Sequence, residues 1–409
     1  MAFEMDRDDE YMNEEDVKIV VFGVGGGGGN TIATMVENNI GGVHYAIANT
    51  NTKDLDKQDK SKISTIHLSK KTAEQPARTN ERAMKRRNRV VRGAGGNPKM
   101  GEDCANDTLS EIIAEIEDAD MVFVAAGMGG GTGTGAAPVI AKAAKEMGIL
   151  TVGVTTKPFE YEGATRLKIA LDGIQKMREC VDALIVIDDE KVFDLPGNEQ
   201  LPTDKVFKAV DDVLIKAVVG IIDIIEADGF INVDFADVCA ALEDAGLAHM
   251  AIGHGKGEHA REVAVDQVLN SPLLETTIDG AKRGLINISI PRSFPINEYQ
   301  QLACEIANRF SADAFFKVGV VFDSSLDEDE INIVAIATDF DEAVVEQVIN
   351  KSYEKLSNPS YGFPTFTANG SKGSSASAGF NILSGNPDDP NRANNLMNAL
   401  NAINNSKNR

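Results

Sequence analysis

The feature of this sequence that most constrains its fold is the run Gly127–Gly135, in which only one methionine and two threonines interrupt the glycines. An apolar strand pattern, Asp120–Ala126, precedes the run, and a helix pattern, Ala136–Ala144, follows it. A glycine loop between a strand and a helix N-terminus exposes backbone N–H groups to an anion, and the helix dipole adds partial positive charge. The run therefore predicts a phosphate-binding loop rather than a flexible linker.

A second glycine run, Gly23–Asn30, follows a predicted strand, Val17–Phe22, and opens a predicted helix, Asn30–Asn39. It contains G-x-G-x-x-G, which alone is a weak signal for dinucleotide binding. Such a fold would place an acidic residue at the end of the next strand, where this chain has Asn49–Asn51, and the P-loop pattern G-x-x-x-x-G-K-[ST] is absent. Two glycine loops that each follow a strand predict that the chain encloses one polyphosphate from two sides. A third turn, Gly93–Pro98, adds N–H donors.

The order of the predicted elements indicates an α/β fold with a parallel sheet and helices on both faces. Further strands of that sheet are predicted at His44–Ala48, Met121–Ala126, Leu150–Thr155 and Ala183–Ile187. The pattern over Thr203–Glu226 carries apolar residues on nearly every face, which predicts a helix buried between two domains. A second, smaller α/β domain is predicted from the strands Leu285–Ile290, Phe315–Phe322 and Ile331–Ala337.

Charge and composition exclude several classes of function. The 409 residues carry a formal net charge of −23, which argues against nucleic-acid binding and against adsorption to anionic lipid. No apolar run approaches the roughly 20 residues that span a bilayer, so no membrane insertion is expected. The cysteines form no C-x-x-C pair, which indicates reduced thiols and a cytoplasmic protein: Cys104, Cys180, Cys239 and Cys304.

The glycine loops, together with Lys157–Phe159, Glu162–Gly163 and Gly229–Val238, closely resemble the FtsZ family of bacterial tubulin-like GTPases. The likeness covers roughly residues 17–340. Gly127–Gly135 resembles the signature of the whole tubulin superfamily, whereas Gly229–Val238 resembles the FtsZ branch specifically. The resemblance implies a Rossmann-like GTPase domain, a long central helix and a smaller α/β domain. It also implies GTP as substrate, GDP as product and Mg²⁺ bound mainly through the phosphates, with no metal ligands assigned to side chains.

The resemblance assigns nucleotide contacts by position. Glu162 matches a ribose-contacting carboxylate, Phe207 the aromatic that stacks on the base, and Asp211 the residue that reads guanine. A carboxylate can accept hydrogen bonds from guanine N1–H and the 2-amino group together, whereas adenine presents a lone pair at N1. The full set of expected nucleotide-binding residues is Gly26, Gly27, Gly28, Gly29, Asn30, Gly95, Gly96, Gly131, Thr132, Gly133, Glu162, Arg166, Asp189, Phe207 and Asp211.

Asn232, Asp234 and Asp237 are the expected catalytic residues. In the resembled family this loop projects into the nucleotide site of the next subunit along a filament, where the carboxylates position and polarise the water that attacks the γ-phosphate. Phosphoryl transfer needs mainly positioning and charge stabilisation, which such groups supply. Two acids at i and i+3 at a helix start also have a simpler interpretation as N-terminal caps, and Asp234 can serve both purposes.

Composition predicts a disordered tail at 1–16 and a flexible tail at 357–409, and the apolar pattern predicts an extra helix at 341–356. Together with the resemblance, this gives a GTP-binding domain at 17–202, the central helix at 203–228 and a GTPase-activating α/β domain at 229–340. The expected partner is the chain itself, in head-to-tail filaments that form the scaffold of the division ring. Division adaptors or membrane-tethering proteins are expected to bind the C-terminal tail. The expected location is the cytoplasm, at the division site.

Several positions depart from the family pattern. A basic stretch, Lys70–Arg92, is longer than the usual connection before the third glycine turn. Asp189 and Asp339 stand where the family commonly has Asn and Gly. The usual Asp-Ile-Pro-like terminal peptide is absent, and a short amphipathic helix over 394–404 is expected to replace it as a partner-binding element.

Two alternatives remain open at this stage. A tubulin-like GTPase could act in cell shape or regulation rather than in division. A nicotinamide-dependent oxidoreductase would match the G-x-G-x-x-G pattern but lacks the ribose-binding acid. The spacing of His249, His254 and His259 does not place them on one helix face, so no metal site is expected there.

Overall fold

The computed structural model describes residues 17–70, 93–195, 198, 202–226, 231, 233–273 and 278–356, all within one compact unit, Met1–Phe363. The expected tails at 1–16 and 357–409, the helix at 394–404, the basic stretch beyond Lys70 and the catalytic candidate Asn232 lie outside the described residues. The predicted division of the chain into domains stays a prediction.

The described strands form one ten-stranded sheet. They are β1 Ile19–Val24, β2 Val43–Asn49, β3 Ile63–His67, β4 Met121–Gly127, β5 Leu150–Lys157, β6 Ala183–Asp188, β7 Gly246–Lys256, β8 Arg283–Ile290, β9 Phe315–Phe322 and β10 Glu330–Thr338. Their order is β3-β2-β1-β4-β5-β6-β7-β10-β8-β9. Every pair from β3 to β7 is parallel, whereas β10 runs antiparallel to both β7 and β8. The expected parallel α/β sheet is confirmed, and β7 joins it to the mixed sheet of the C-terminal half.

The described helices are α1 Gly25–Glu37, α2 Thr52–Leu55, α3 Pro98–Asp107, α4 Leu109–Ile116, α5 Thr132–Glu146, α6 Ala164–Arg178, α7 Thr203–Glu226, α8 Phe235–Leu242, α9 Ala260–Leu269, α10 Ile296–Ala307 and α11 Glu342–Leu356. Short 3₁₀ turns lie at Glu160–Glu162 and Asp189–Asp194. Among the described helices, none combines the length and the apolar composition that crossing a bilayer would require.

Helix α1 begins at Gly25, whereas the sequence predicted its start at Asn30. The glycine run is thus the first part of the helix and not a loop that precedes it. Glycine is a poor helix former, but a methyl group added at Gly28 would lie 2.1 Å from the carbonyl oxygen of Ala125 on β4. Close contact between helix and strand therefore outweighs propensity at this position.

The parallel part of the sheet is covered on both faces, because successive side chains of a strand point to opposite sides. Val21 packs in one apolar cluster with Ile32 of α1 and with the long helix α7. Phe22, its neighbour on β1, packs in a second cluster with Ile140 of α5. This arrangement is the doubly wound architecture that the sequence predicted.

Helix α7 is central to the molecule, as its apolar pattern predicted. Its 24 residues span roughly 36 Å at 1.5 Å per residue. Its buried side chains include Val210, Val213, Leu214, Val218, Ile221 and Ile222. A methyl group at Gly220 would lie 2.7 Å from the side chain of Val334 on β10, and the amide of Asn287 on β8 donates to the Gly220 carbonyl at 3.3 Å. The helix thus contacts both halves of the sheet.

Candidate nucleotide-binding site

The two glycine runs meet where the strand order reverses. β1 lies between β2 and β4, and Val24 at the end of β1 is in register with Ala126 near the end of β4. Helix α1 follows β1 directly, and α5 begins at Thr132 after the second run. In open α/β sheets, ligands bind outside the carboxyl ends of the strands at such a reversal point. Two helix N-termini therefore point their partial positive charge at one place.

A cavity of about 310 Å³ opens at this point. Its volume lies within the roughly 300–1,000 Å³ that is typical of ligand sites. Its lining comprises Gly26, Gly27, Asn30, Gly127, Met128, Gly130, Gly131, Thr132, Gly133, Thr156, Pro158, Glu162, Arg166, Asp189, Phe207, Val210, Asp211 and Leu214. The lining residues thus come from distant parts of the chain: Gly26 and Leu214 are 188 positions apart.

The glycines of the lining are of two kinds. A methyl group added at Gly133 would lie 2.6 Å from the carbonyl oxygen of Gly127, so this glycine is required by the contact between the two segments. A methyl group added at Gly26 or Gly130 would meet no atom within 4 Å. At these two positions the protein leaves room that a ligand can fill, and the backbone stays accessible to it.

Four of the expected nucleotide-binding glycines lie outside the lining: Gly28, Gly29, Gly95 and Gly96. Gly28 and Gly29 are buried in α1 and pack toward β4 and β2. Gly95 and Gly96 have left-handed backbones, with φ of 60° and 73°, in a turn that contacts the second glycine run. A methyl group at Gly131 would lie 2.7 Å from Cβ of Ala94 in that turn. The turn therefore supports the cavity from behind.

Asp211 approaches the cavity from α7. The hydroxyl of Thr31 on α1 donates a hydrogen bond to its Oδ1 at 2.8 Å. Burial raises the pKa of Asp211 to about 6, although the Thr31 hydrogen bond acts in the opposite direction. Near neutral pH the carboxylate is ionised and presents its remaining lone pairs to the cavity. This arrangement suits a partner with adjacent N–H donors.

Phe207 lies one helical turn before Asp211 and is 59% exposed, which is unusual for a phenylalanine. One edge contact fixes its ring, at 5.8 Å between its centroid and that of the buried Phe159. Across the cavity, the carboxylate of Glu162 pairs with Arg166 at 2.8 Å and accepts a hydrogen bond from the Phe159 backbone at 3.2 Å. An exposed aromatic face and a fixed carboxylate are suited to a base and a sugar.

Asp189 is 6% exposed and directly follows β6. Its Oδ1 has no hydrogen-bond partner among the described residues. Burial, with the negative charges of Asp188 and Glu162, raises the pKa of Asp189 to about 8, against the effect of a hydrogen bond with Thr156. An unpartnered polar atom inside a ligand cavity indicates that a ligand supplies the missing partner.

Thr156 and Pro158 also line the cavity but were not among the predicted binding residues. Both lie at the end of β5, the strand next to β4, where parallel strands present their carboxyl ends. The sequence predicted that this strand ends at Thr155. The location of Thr156 and Pro158 directly after a predicted strand is the signal that could have indicated them. The hydrogen bond between Thr31 and Asp211 joins residues 180 positions apart and had no sequence signal.

The predicted catalytic acids lie at the start of α8. Asp234 is the exposed N-cap of this helix, and its Oδ1 accepts a hydrogen bond from the backbone N–H of Asp237 at 2.7 Å. The carboxylate of Asp237 pairs with the ammonium group of Lys317 on β9 at 2.8 Å. The capping interpretation of Asp234 is thus confirmed. Both carboxylates remain accessible to solvent, and neither belongs to the lining of the cavity.

Helix α8 lies at the opposite end of the sheet from the cavity. A groove is lined by Phe235 and Cys239 together with Asp120, Leu150 and Asp182, which precede or begin β4, β5 and β6. The cavity lies at the other ends of these strands, and the eight residues of β5 span roughly 26 Å. The acids of one chain therefore do not reach the cavity of the same chain.

His249 and His254 lie on β7, and His259 is the N-cap residue of α9. His254 hydrogen-bonds Asn332 at 2.8 Å, and the ring of His249 packs 4.7 Å from that of Phe340. Over the described part of the chain, no three His, Cys, Asp or Glu residues are grouped in a way that could hold a metal ion.

Comparisons with known proteins show which family this chain resembles. Residues 18–196 match the model of the Tubulin/FtsZ family GTPase domain, and residues 246–341 match that of the FtsZ family C-terminal domain. Cell division protein FtsZ 1 of Methanocaldococcus jannaschii is 39% identical over 331 residues, which cover 80% of this chain and 85% of the relative. Cell division protein FtsZ of Aquifex aeolicus is 40% identical over 337 residues, which cover 82% and 85%.

A solved structure of an empty FtsZ dimer from M. jannaschii has the same fold. The TM-score is 0.71 at 38% sequence identity, and the match covers 80% of this chain and 90% of that one. Both regions that carry the candidate site, the cavity and the helix of Asp234 and Asp237, fall within the segments that match the two family models or directly between them.

Proposed function

The chain belongs to the FtsZ family of tubulin-like proteins, and on that basis we propose that it is a GTPase whose subunits join head to tail into the filaments of the division ring. The curated relatives it matches are cell division proteins, which favours division over a role in cell shape. The family model over residues 18–196 is that of a GTPase domain, which leaves no support for the oxidoreductase alternative.

The observation that carries the proposal is the separation of the two half-sites. The cavity lies at the carboxyl ends of the parallel strands, and Asp234 and Asp237 lie at their amino ends. A head-to-tail contact brings the amino-end face of one subunit against the cavity of the next. Because such a contact is heterologous and does not close, it repeats into a filament. The active site is then complete only between subunits.

Within that site the residues have distinct roles. The N-termini of α1 and α5 bind the phosphates, Phe207 stacks on the base, and the Asp211 carboxylate accepts from guanine N1–H and the 2-amino group. Glu162 contacts the ribose. The carboxylates of Asp234 and Asp237 from the neighbouring subunit orient and polarise the water that attacks the γ-phosphate.

Mg²⁺ enters with the nucleotide in this proposal. In this proposal it is held mainly through phosphate oxygens, with no ligand assigned to a side chain. When bound, it neutralises charge that develops on those oxygens. We further propose that the protein acts in the cytoplasm at the division site, where adaptor or membrane-tethering proteins bind its C-terminal tail.

The test is GTP hydrolysis measured against protein concentration, with sedimentation of polymer in the same samples. A site formed between subunits gives a concentration threshold, below which both hydrolysis and polymer are absent. Hydrolysis that rises in proportion to concentration from zero, with no polymer, would mean that each chain holds a complete active site.

A further inference from the structure

Two aspartates of the cavity, Asp189, which is buried, and Asp211, which is partly buried, have different surroundings. Asp211 accepts a hydrogen bond from the Thr31 hydroxyl at 2.8 Å, so a donor already favours its ionised form. Asp189 is 6% exposed, and its Oδ1 has no partner among the described residues. Both carboxyl groups line the same cavity. Pairs of titratable groups whose environments push their pKa values apart take different roles toward a ligand.

The charges that face Asp189 are almost all negative. Asp188 precedes it on β6, Glu162 approaches from the 3₁₀ turn, and Asp211 approaches from α7, and each of the three opposes its ionisation. The nearby cations are already paired. Lys157 at the end of β5 lies 3.2 Å from Asp188, with both side chains buried, and Arg166 lies 2.8 Å from Glu162.

Bound nucleotide adds further negative charge to this space. A GTP or GDP phosphate chain at the two helix N-termini brings several negative charges to a cavity that already holds three carboxyl groups: Glu162, Asp189 and Asp211. Unpaired like charges in a partly buried site repel strongly, because the effective dielectric constant is low. Asp189 has one hydrogen bond, with Thr156, but its Oδ1 has no partner among the described residues and three acidic groups face it, so the least costly state is one in which Asp189 keeps its proton.

We propose that Asp189 enters the nucleotide complex as a neutral carboxylic acid that donates a hydrogen bond to the bound guanosine, while Asp211 enters it as a carboxylate that accepts. This inference rests on the proposed function, since it concerns the same cavity. Binding then requires that Asp189 is protonated and that Asp211 is not. Nucleotide affinity is therefore greatest between two titrations, one for each aspartate.

The pKa values of the two aspartates determine how nucleotide affinity changes with pH. Burial raises the pKa of Asp211 to about 6, so below that pH it is protonated and cannot accept from guanine N1–H. Burial raises the pKa of Asp189 to about 8, so above that pH it loses the proton that it donates. Nucleotide affinity therefore falls both below about pH 6 and above about pH 8. If only the protonated form of Asp189 binds, affinity at pH 9 is about tenfold lower than at pH 7.

The experiment is calorimetric titration with GDP, which undergoes no further hydrolysis in this reaction, from pH 5 to pH 9.5. Three proteins are compared: the natural chain, Asp189→Asn and the control Asp194→Asn. Asn at position 189 keeps both a donor and an acceptor but cannot ionise. Asp194 is an exposed acid in the same short 3₁₀ segment. Ionisation of guanine itself is common to all three proteins and cancels in the comparison.

The natural chain and Asp194→Asn should lose affinity above pH 8, and Asp189→Asn should keep its pH 7 affinity. Two buffers with different ionisation enthalpies give a second readout that needs no variant. Binding at pH 8 should take up about half a proton in the natural chain. Release of protons at that pH, or the same alkaline loss of affinity in Asp189→Asn, would overturn the inference.

The same titration separates the inference from the proposed function. No binding of GDP at any pH would contradict the proposed function itself, whereas tight binding that weakens at acid pH but not at alkaline pH would contradict only the role of Asp189. The 2′-deoxy and 3′-deoxy forms of GDP identify the acceptor. If the alkaline limb disappears with one of them, the acceptor is that hydroxyl, and if it persists with both, the acceptor lies on the base.

Discussion

The two ends of the parallel sheet differ in how their functional residues are held. At the carboxyl ends, the cavity draws residues from segments that follow β1, β4, β5 and β6, and from α7. Its Asp189 is buried and its Asp211 is partly buried, and the pKa values of both are raised. At the amino ends, Asp234 and Asp237 share one turn of a short helix and stay accessible to solvent. One end thus forms a cavity within the chain, whereas we propose that the other completes the cavity of a neighbouring subunit.

This difference links assembly to turnover. A complete site within one chain would hydrolyse GTP wherever the chain is, and polymer would offer no control. In the proposed arrangement, the chain that binds GTP does not bring its own Asp234 and Asp237 to the cavity, and the chain that supplies these two acids binds its own nucleotide in a different cavity. If the site is shared as proposed, hydrolysis reports that a contact between subunits has formed.

The largest effect is expected for Asp234. Asp234→Ala should bind GTP normally and lose GTP hydrolysis by two to four orders of magnitude, since the group that polarises water is gone. The same change removes an N-cap, which typically costs about 1 kcal/mol of stability. Asp234→Ser is the matched variant, because serine caps the helix but carries no carboxylate. Hydrolysis near the natural rate in the serine variant would show that Asp234 acts only as a cap.

A similarly large effect is expected from closing the phosphate side of the cavity. Gly130→Asp places a carboxylate where a methyl group would meet no protein atom, so folding should be preserved while GTP binding is lost. Mixing this protein with Asp234→Ser should restore hydrolysis, because the serine variant supplies the cavity and the other supplies the acids. Two inactive proteins that stay inactive when mixed, although each still copolymerises with the natural chain, would argue against a shared site.

A smaller effect is expected for Asp211. Asp211→Asn should weaken GTP binding by roughly 10- to 100-fold, which corresponds to about 1.5–3 kcal/mol for hydrogen bonds to a charged group. Inosine triphosphate, which lacks the 2-amino group, should bind the natural chain less tightly than GTP. In the variant, the difference in affinity between these two nucleotides should be smaller. Asp212→Asn is the control, since Asp212 is the next residue on α7 and lies outside the lining. Equal losses in both variants would remove Asp211 from guanine recognition.

Much of this site could be predicted from the sequence, because its parts follow strands and begin helices. The runs at Gly23–Asn30 and Gly127–Gly135 each carry local signals that a reader of one sequence can see. The start of α1 at Gly25 was missed, since glycine propensity argues against a helix and only contact with β4 reverses it. The partner of Asp211 was missed because a hydrogen bond between distant segments leaves no periodic pattern.

The departures from the family pattern show a similar limit. Asp339, where the resemblance implies a glycine, has a left-handed backbone with φ of 57°, and its carboxylate pairs with Arg283 at 3.2 Å. An acidic residue tolerates this conformation better than most side chains, so the turn before α11 survives the change. At position 189 the change from Asn to Asp alters charge and not shape. The sequence marks both positions, but only the structure shows that the second is buried and that its Oδ1 has no partner among the described residues.

The smallest effect is expected at Lys317, whose ammonium group pairs with Asp237 across the surface. Exposed ion pairs contribute about 0–1 kcal/mol, so Lys317→Met should leave the free energy of unfolding nearly unchanged. The same variant removes the ion pair of the Asp237 carboxylate. The rate of GTP hydrolysis within polymer should change by only a few-fold, and the affinity of the distant cavity for GDP should stay the same. Chemical denaturation, calorimetric titration and phosphate release measure the three quantities. A large loss of GDP affinity would show that the two ends of the sheet are coupled within one chain, against the separation on which the shared site depends.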